Sequence, residues 1–231
     1  DKPIIYLSDT TFPLMVNYYD EFSRYNRIGI QSGWAIESKA INNSALATFP
    51  SSWACESAKL LSKKPDNIYQ CKWGANLDYV CKDSLMLEKK LSEHNCNLLF
   101  VGVDWERKGG DIAVEVVSRL RKKGVCASLT VVGIEILDQS ILDLPFVNNV
   151  GRLDKSDEKQ LAKLKHIFSQ SHFLILPTLG ECYGMVFAEA SAYGTPCLAN
   201  RTGGVPSVVT EGINGHTVKN NSIEDYYNLI L

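Results

Sequence analysis

Glu181 and Glu189 flank the opening of a predicted helix in the stretch PTLGECYGMVFAEASAYGTPCLAN, residues 177–200. The stretch reads as a strand end, a glycine-bearing loop, a helix from near Gly184 to about Tyr193, and the next strand. Gly194 ends the helix and Pro196 keeps it from resuming. A helix start carries free backbone N–H groups and the positive end of a dipole, so the amides of Gly184, Met185 and Val186 favour an anion such as phosphate. A carboxylate beside Met185, Val186, Phe187 and Ala188 is costly unless hydrogen-bonded, and a sugar or ribose diol supplies two donors. Phosphate with polyols on either side describes a nucleotide sugar.

A cationic partner lies upstream. The apolar run Asn97–Val101 reads as a buried strand, and the loop after it carries Gly102, Arg107, Lys108, Gly109 and Gly110 ahead of a helix. Two cations at the carboxyl end of a strand suit a diphosphate, whereas a solvated basic loop is the plainer reading of the same residues. The glycine spacing is wrong for a dinucleotide GxGxxG turn, and GxxxxGK[ST] is absent. No GxSxG elbow occurs, and His94, His166, His172 and His216 lack metal-ligand spacing, so no metal is expected. Cys182 sits in the central loop, where a lone cysteine more often packs than attacks. Asp9, at the end of the strand Ile4–Leu7, is a weak acceptor-side candidate against the simpler reading of a loop or cap aspartate.

Around these residues, strands alternate with helices. The first strands are read at 4–7, 46–49 and 67–70, with helices at 33–42 and 53–61, the latter capped by Pro50-Ser51-Ser52. Whether Phe12, Tyr18, Tyr19, Phe22 and Tyr25 form a contact surface or core is left open by the sequence. After a charged stretch, further strands are read at 97–101, 128–133, 147–152, 173–176, 197–199 and 216–218. Helices run between them, with Ile112, Val116, Val117 and Leu120 on one face, and Leu161, Leu164 and Phe168 on another. Asp154 or Ser156 is expected to cap the latter helix, and Ser222 starts the last one. The expected organisation is a partial α/β domain at 1–78, a connection at 79–95, and a doubly wound parallel, Rossmann-like domain at 96–231.

Composition narrows the partners. The net charge of −2 gives no footprint for nucleic acid. No stretch approaches a membrane span, and DKPIIYLSD is not a signal peptide. Without a starting Met it reads as an excised piece. Seven cysteines, an odd number with no CxxC pair, read as reduced thiols of a cytoplasmic protein.

From Leu98 to Val218 the chain resembles the donor-binding C-terminal domain of group 1 glycosyltransferases, retaining enzymes of GT-B architecture. The resemblance is carried by FVG…RKGG (100–110), VVG (131–133), VGRL (150–153), PTLGECYGMVFAEASAYGTPCLA (177–199) and TGGVPSVVTEGINGHTV (202–218). FPSSWACESAK (49–59) and WGANLD (73–78) are similar to the end of that family's N-terminal domain.

The resemblance implies that Glu181 holds hydroxyls of the donor sugar and Glu189 the ribose diol. Gly184, Met185 and Val186 would present amides to the diphosphate. Lys108, assisted by Arg107, would stabilise the leaving diphosphate without a metal. Gly102 would line the donor site, and backbone near Gly133 and Arg152 would contact the base. Many members carry an arginine directly after the glycine of the first strand. Here that position is Val103, so either Arg107 takes over the charge or the site is weaker. Cys182-Tyr183 also departs from the more usual small-aromatic pair. No cofactor is implied beyond the nucleotide-sugar donor, linked to UDP, GDP or ADP, and the acceptor is a glycan, lipid or small molecule. The family's acceptor loop would lie upstream of Asp1, and any peripheral membrane contact is expected there. A non-catalytic nucleotide-sugar-binding module is the rival reading.

Overall fold

The computed structural model describes residues 2–77, 88, 90, 92 and 94–231. Most of the connection expected at 79–95, together with Asp78, lies outside the described residues. The chain divides into two compact units, and the first comprises residues 1–74 together with 180–184 and 202–208. Its strands β1 (Ile5–Leu7), β2 (Leu46–Phe49) and β3 (Ile68–Gln70) form a parallel sheet in sequence order. The helices Arg27–Asn43 and Ser52–Leu61 supply the apolar cover, with Ile41, Ala54, Cys55 and Ala58 packed on Ala47, Phe49 and Ile68.

The second of these helices starts where the polar triplet predicts, because the Ser51 side chain accepts from the Ala54 amide at 3.1 Å. The first begins earlier than its weak periodicity implies, since Asn26 caps it by accepting from Gly29 at 2.8 Å. Its buried residues are only Glu37 and Ile41, which explains the faint amphipathic signal.

Glu37 is buried, and it accepts hydrogen bonds from the Phe12 amide and, at 3.0 Å, from the Tyr6 hydroxyl. Desolvation outweighs those two donors and raises its carboxyl above the ordinary 4.5. The folded state therefore holds that proton more tightly than the unfolded chain. The contribution to stability is present below pH 4.5 and is lost as pH rises through the raised folded value.

The second unit comprises residues 75–179, 185–201 and 209–231. Its strands are β4 (Asn95–Val101), β5 (Cys126–Val132), β6 (Val147–Gly151), β7 (Phe173–Leu176), β8 (Cys197–Asn200) and β9 (Gly215–Val218). They pair in the order β6-β5-β4-β7-β8-β9, and every pairing is parallel. The chain thus winds outward from β4 to one edge, returns to β7 beside β4, and winds to the other edge. The reversal between β4 and β7 makes a topological switch point, where open α/β sheets place a ligand crevice beyond the strands' carboxyl ends.

Leu98, Leu99, Phe100, Leu174, Ile175 and Leu176 have no exposed surface, as expected of central strands covered on both faces. The helix Gly110–Lys122 buries Val116, Val117 and Leu120 as its periodicity predicts, with Ala113 in place of the half-buried Ile112. The helix Glu158–Gln170 is capped by Asp157, not by Asp154 or Ser156; the Asp157 side chain accepts from the Gln160 amide at 2.9 Å. Asp154 is used instead in the preceding turn, where its carboxylate accepts from the Ser156 amide at 2.8 Å. Among the described residues no helix is long and apolar enough to cross a membrane.

Two stability measurements follow from this packing. In Glu37→Gln, the component of stability that wild type loses between pH 4.5 and the raised carboxyl value should be absent, as read by urea melts across that range. Phe168, fully buried and stacked on Tyr193 with ring centroids 5.6 Å apart, should cost about 3–5 kcal/mol when replaced by Ala. A loss below about 1 kcal/mol in the urea midpoint analysis would contradict its place in the core.

Candidate functional site

The segment after β4 is a capped helical turn where the sequence reads as a loop. Asp104 precedes the short helix Trp105–Lys108, and its carboxylate accepts from the Arg107 amide and from Arg107 Nε, both at 3.0 Å. The turn ends at Gly109, whose φ of 76° is left-handed. A Cβ on Gly109 would stand 2.2 Å from the Pro177 carbonyl oxygen. The Leu179 amide also donates to the Arg107 carbonyl at 2.7 Å. The segments after β4 and β7 are therefore joined backbone to backbone at the switch point.

This turn lays Lys108 along Gly102. A Cβ at Gly102 would come within 2.9 Å of Lys108 Cγ. Gly133 ends β5 with a φ of 99°, and a Cβ there would lie 2.3 Å from the Gly102 carbonyl oxygen. Its amide donates to Gly151 at 2.8 Å. The structure thus brings Gly102, Lys108 and Gly133 together at the carboxyl edge of the sheet. Arg107 is different, because its guanidinium is turned onto Asp104. Val103 is well exposed.

Gly184, with a φ of 86°, immediately precedes the helix Met185–Ala192. The first amides of that helix have no intrahelical acceptor. Glu189 is 4% exposed on the same helix, and its carboxylate pairs with Lys155. Lys155 stands between Asp154 and the cap of the following helix. It lines a concavity of about 560 Å³ with Glu135, Arg152, Leu153, Asp154 and Gln160. Arg152 is exposed at the mouth of β6. Sequence reading passed over Lys155. The signal that could have found it is the need of a buried carboxylate for a cationic partner.

Glu181 belongs to the first unit. Its amide donates to the Tyr18 hydroxyl at 2.9 Å, which in turn shares a 2.8 Å hydrogen bond with Thr202. The Glu181 carbonyl accepts from the Gly204 amide at 3.1 Å. Tyr19 meets Cys182 Sγ at 3.2 Å. These contacts settle the role of part of the early aromatic run. Tyr18 and Tyr19 hold the 180–184 segment, while Phe12, Phe22 and Tyr25 pack on one another with centroids 6.0 Å apart.

The Asp9 carboxyl is raised above its ordinary 3.8, chiefly by desolvation and in small part by the charge of Glu181. Burial pushes the Cys182 thiol up to about 11, so it is a protonated packing group at neutral pH. Among the described residues, no group of three or more His, Cys, Asp or Glu side chains is arranged to hold a metal.

The family profile for glycosyl transferases group 1 matches residues 95–231. An uncharacterised glycosyltransferase of Methanocaldococcus jannaschii is 28% identical over 133 residues, which are 58% of this chain and 36% of that protein. The chain therefore spans about a third of that relative's length. Among solved structures, Anabaena HepE in complex with UDP and glucose superposes with a TM-score of 0.69 at 14% identity, over 99% of this chain and 61% of HepE. Sucrose-phosphate synthase from Thermosynechococcus elongatus superposes with a TM-score of 0.72 at 19% identity, over 98% of this chain and 57% of that enzyme. At such identities the likeness speaks for the fold, which is α/β and of GT-B type, as the sequence predicts. With the profile covering more than half of its residues, the chain belongs to the group 1 glycosyltransferases.

Proposed function

We propose that the protein carrying this chain is a retaining hexosyltransferase that moves a sugar from a nucleotide-sugar donor to an acceptor hydroxyl without a metal. The observation that carries this reading is the set of Gly102, Lys108 and Gly133 at the carboxyl edge of β4 and β5, beside the β4/β7 switch point. Such a place offers a cation on a backbone approached closely enough for a phosphate to lie against it. HepE, which was solved with UDP-glucose, makes a UDP-hexose the first donor to try. The cytoplasm is the proposed setting, on the strength of cysteines that form no paired motif.

In this reading, negative charge grows on the diphosphate as the bond from the sugar's anomeric carbon to the phosphate oxygen breaks. Lys108 and the amides of Met185 and Val186 answer that charge with groups already in place, so little reorganisation is needed in the transition state. Glu189 takes the ribose diol and Glu181 the hydroxyls of the transferred sugar. Asp9 belongs to the acceptor side. The acceptor hydroxyl enters on the face from which the diphosphate leaves, which preserves the anomeric configuration. The protein's work is then mostly positioning and charge stabilisation. Arg107 takes the assisting part, with its guanidinium held through Nε by Asp104.

One observation favours a second reading, a nucleotide-sugar-binding module without turnover. Where many members of the family carry an arginine, this chain has the exposed Val103, and Arg107 does not stand free to replace it. Full-length protein that binds a donor and neither hydrolyses nor transfers it would establish that reading.

Donor binding is tested by thermal shift with UDP-, GDP- and ADP-linked sugars. One of them should stabilise the protein by about 2.7 kcal/mol at a hundredfold excess over Kd. No shift with any of them would end both readings. Glu189→Gln should weaken the nucleotide about 10- to 100-fold, the value of a hydrogen bond to a charged group. In the full-length protein, Lys108→Ala should lower kcat by about 100- to 1000-fold. A Lys108→Ala enzyme with unchanged kcat would remove Lys108 from the chemistry.

A further inference from the structure

Glu189 is buried on a helix whose other members are apolar or small, and its side chain is only 6% exposed. Among the described residues, Lys155 is the one partner of its carboxylate, and it meets Oε1. Among the described residues, no hydrogen bond is made to the second oxygen. A carboxylate in this state has one oxygen fixed and one that can still accept.

Lys155 is not a lysine that drifts onto a nearby acid. It sits in a turn closed by three hydrogen bonds: the Asp154 amide to Gln160 Oε1 at 2.9 Å, the Ser156 amide to Asp154 Oδ1 at 2.8 Å, and the Asp157 amide to the Asp154 carbonyl at 3.2 Å. The turn is then locked to the helix that Asp157 caps. The Lys155 side chain stays 39% exposed, on the wall of the 560 Å³ concavity that also holds Arg152, Glu135 and Asp154.

We infer that Lys155 is a positioning residue for nucleotide selection: it fixes the Glu189 carboxylate so that the unpaired oxygen reads a ribose hydroxyl and rejects a deoxyribose. This rests on the assignment of Glu189 to the ribose in the proposed function. The chemistry is that of a site built to hydrogen-bond a hydroxyl, which penalises an analogue lacking it because a desolvated acceptor is left unmet. Without Lys155 the carboxylate can rotate, and it must find water or another donor to offset its charge. The site then loses its preference along with its geometry.

The test measures the affinities of UDP and 2′-deoxy-UDP by titration calorimetry for wild type, Lys155→Arg and Lys155→Met. If another base proves to be preferred in the donor screen, the matching ribo- and deoxyribonucleotide pair is used. Wild type should prefer the ribonucleotide by about 10-fold or more. Lys155→Met should bring the two affinities within about 3-fold of each other, and Lys155→Arg should restore most of the difference. Because Lys155→Met leaves a buried carboxylate without its partner, Lys155→Met/Glu189→Gln serves as a folding control and should also show no preference. A Lys155→Met protein that loses affinity for both nucleotides in equal proportion would overturn the inference, as would one that keeps the wild-type ratio. If wild type binds no nucleotide at all, the proposed function itself fails, and that outcome is distinct from an unchanged ratio.

Discussion

A side chain on Gly133 would lie 2.3 Å from the carbonyl oxygen of Gly102, and the arrangement of the second unit's carboxyl edge depends on that close approach. It brings the segments after β4 and β5 together at the carboxyl edge of the sheet. Gly102 in turn leaves room for Lys108, whose Cγ would be 2.9 Å from any Cβ placed there. Gly109 repeats the device against Pro177, so the loops on both sides of the switch point share one backbone frame. Gly102 thus leaves room for the aliphatic stem of Lys108, while Gly109 and Gly133 let neighbouring backbone segments approach.

Charge is handled differently at the two carboxylates, and each arrangement fits its surroundings. Glu189 is buried and paired with Lys155, because a lone carboxylate among apolar neighbours would be strongly disfavoured. Glu181 is only partly buried. Its main chain is gripped by Tyr18 and Gly204, while its charge is felt by Asp9. One carboxylate is held by its head group and the other by its backbone. Arg107 illustrates the same economy in reverse: Asp104 caps the turn and neutralises the guanidinium with a single side chain.

Much of this was readable in the residues. The strand Phe173–Leu176 falls where its apolar run places it, since a covered parallel strand leaves a continuous hydrophobic signature, and Leu46–Phe49 falls at the position read from the residues although its burial alternates. Ser51 and Ser222 act as caps as their position before helical segments predicts. The misreadings share a cause. Asp104, Asp154 and Asp157 are polar residues between elements, and sequence alone does not say which will cap a helix and which will close a turn. For the same reason the turn Trp105–Lys108 reads as loop, because it buries no residue and so leaves no periodicity. Lys155 was invisible for a further reason: its partner lies 34 residues away, and the pairing exists only once β6 and the helix of Glu189 are in place. The profile match and the superpositions bear out the family and the fold.

The central claim is that the diphosphate of a nucleotide sugar sits against Gly102, Lys108 and the opening of the helix at Met185. Amide hydrogen exchange with and without a saturating nucleotide diphosphate reads this directly, because bound phosphate protects the amides it contacts. The account predicts slowed exchange in the peptides spanning 102–109 and 184–189, with little change across 27–43. Protection that leaves both of those peptides untouched would contradict it.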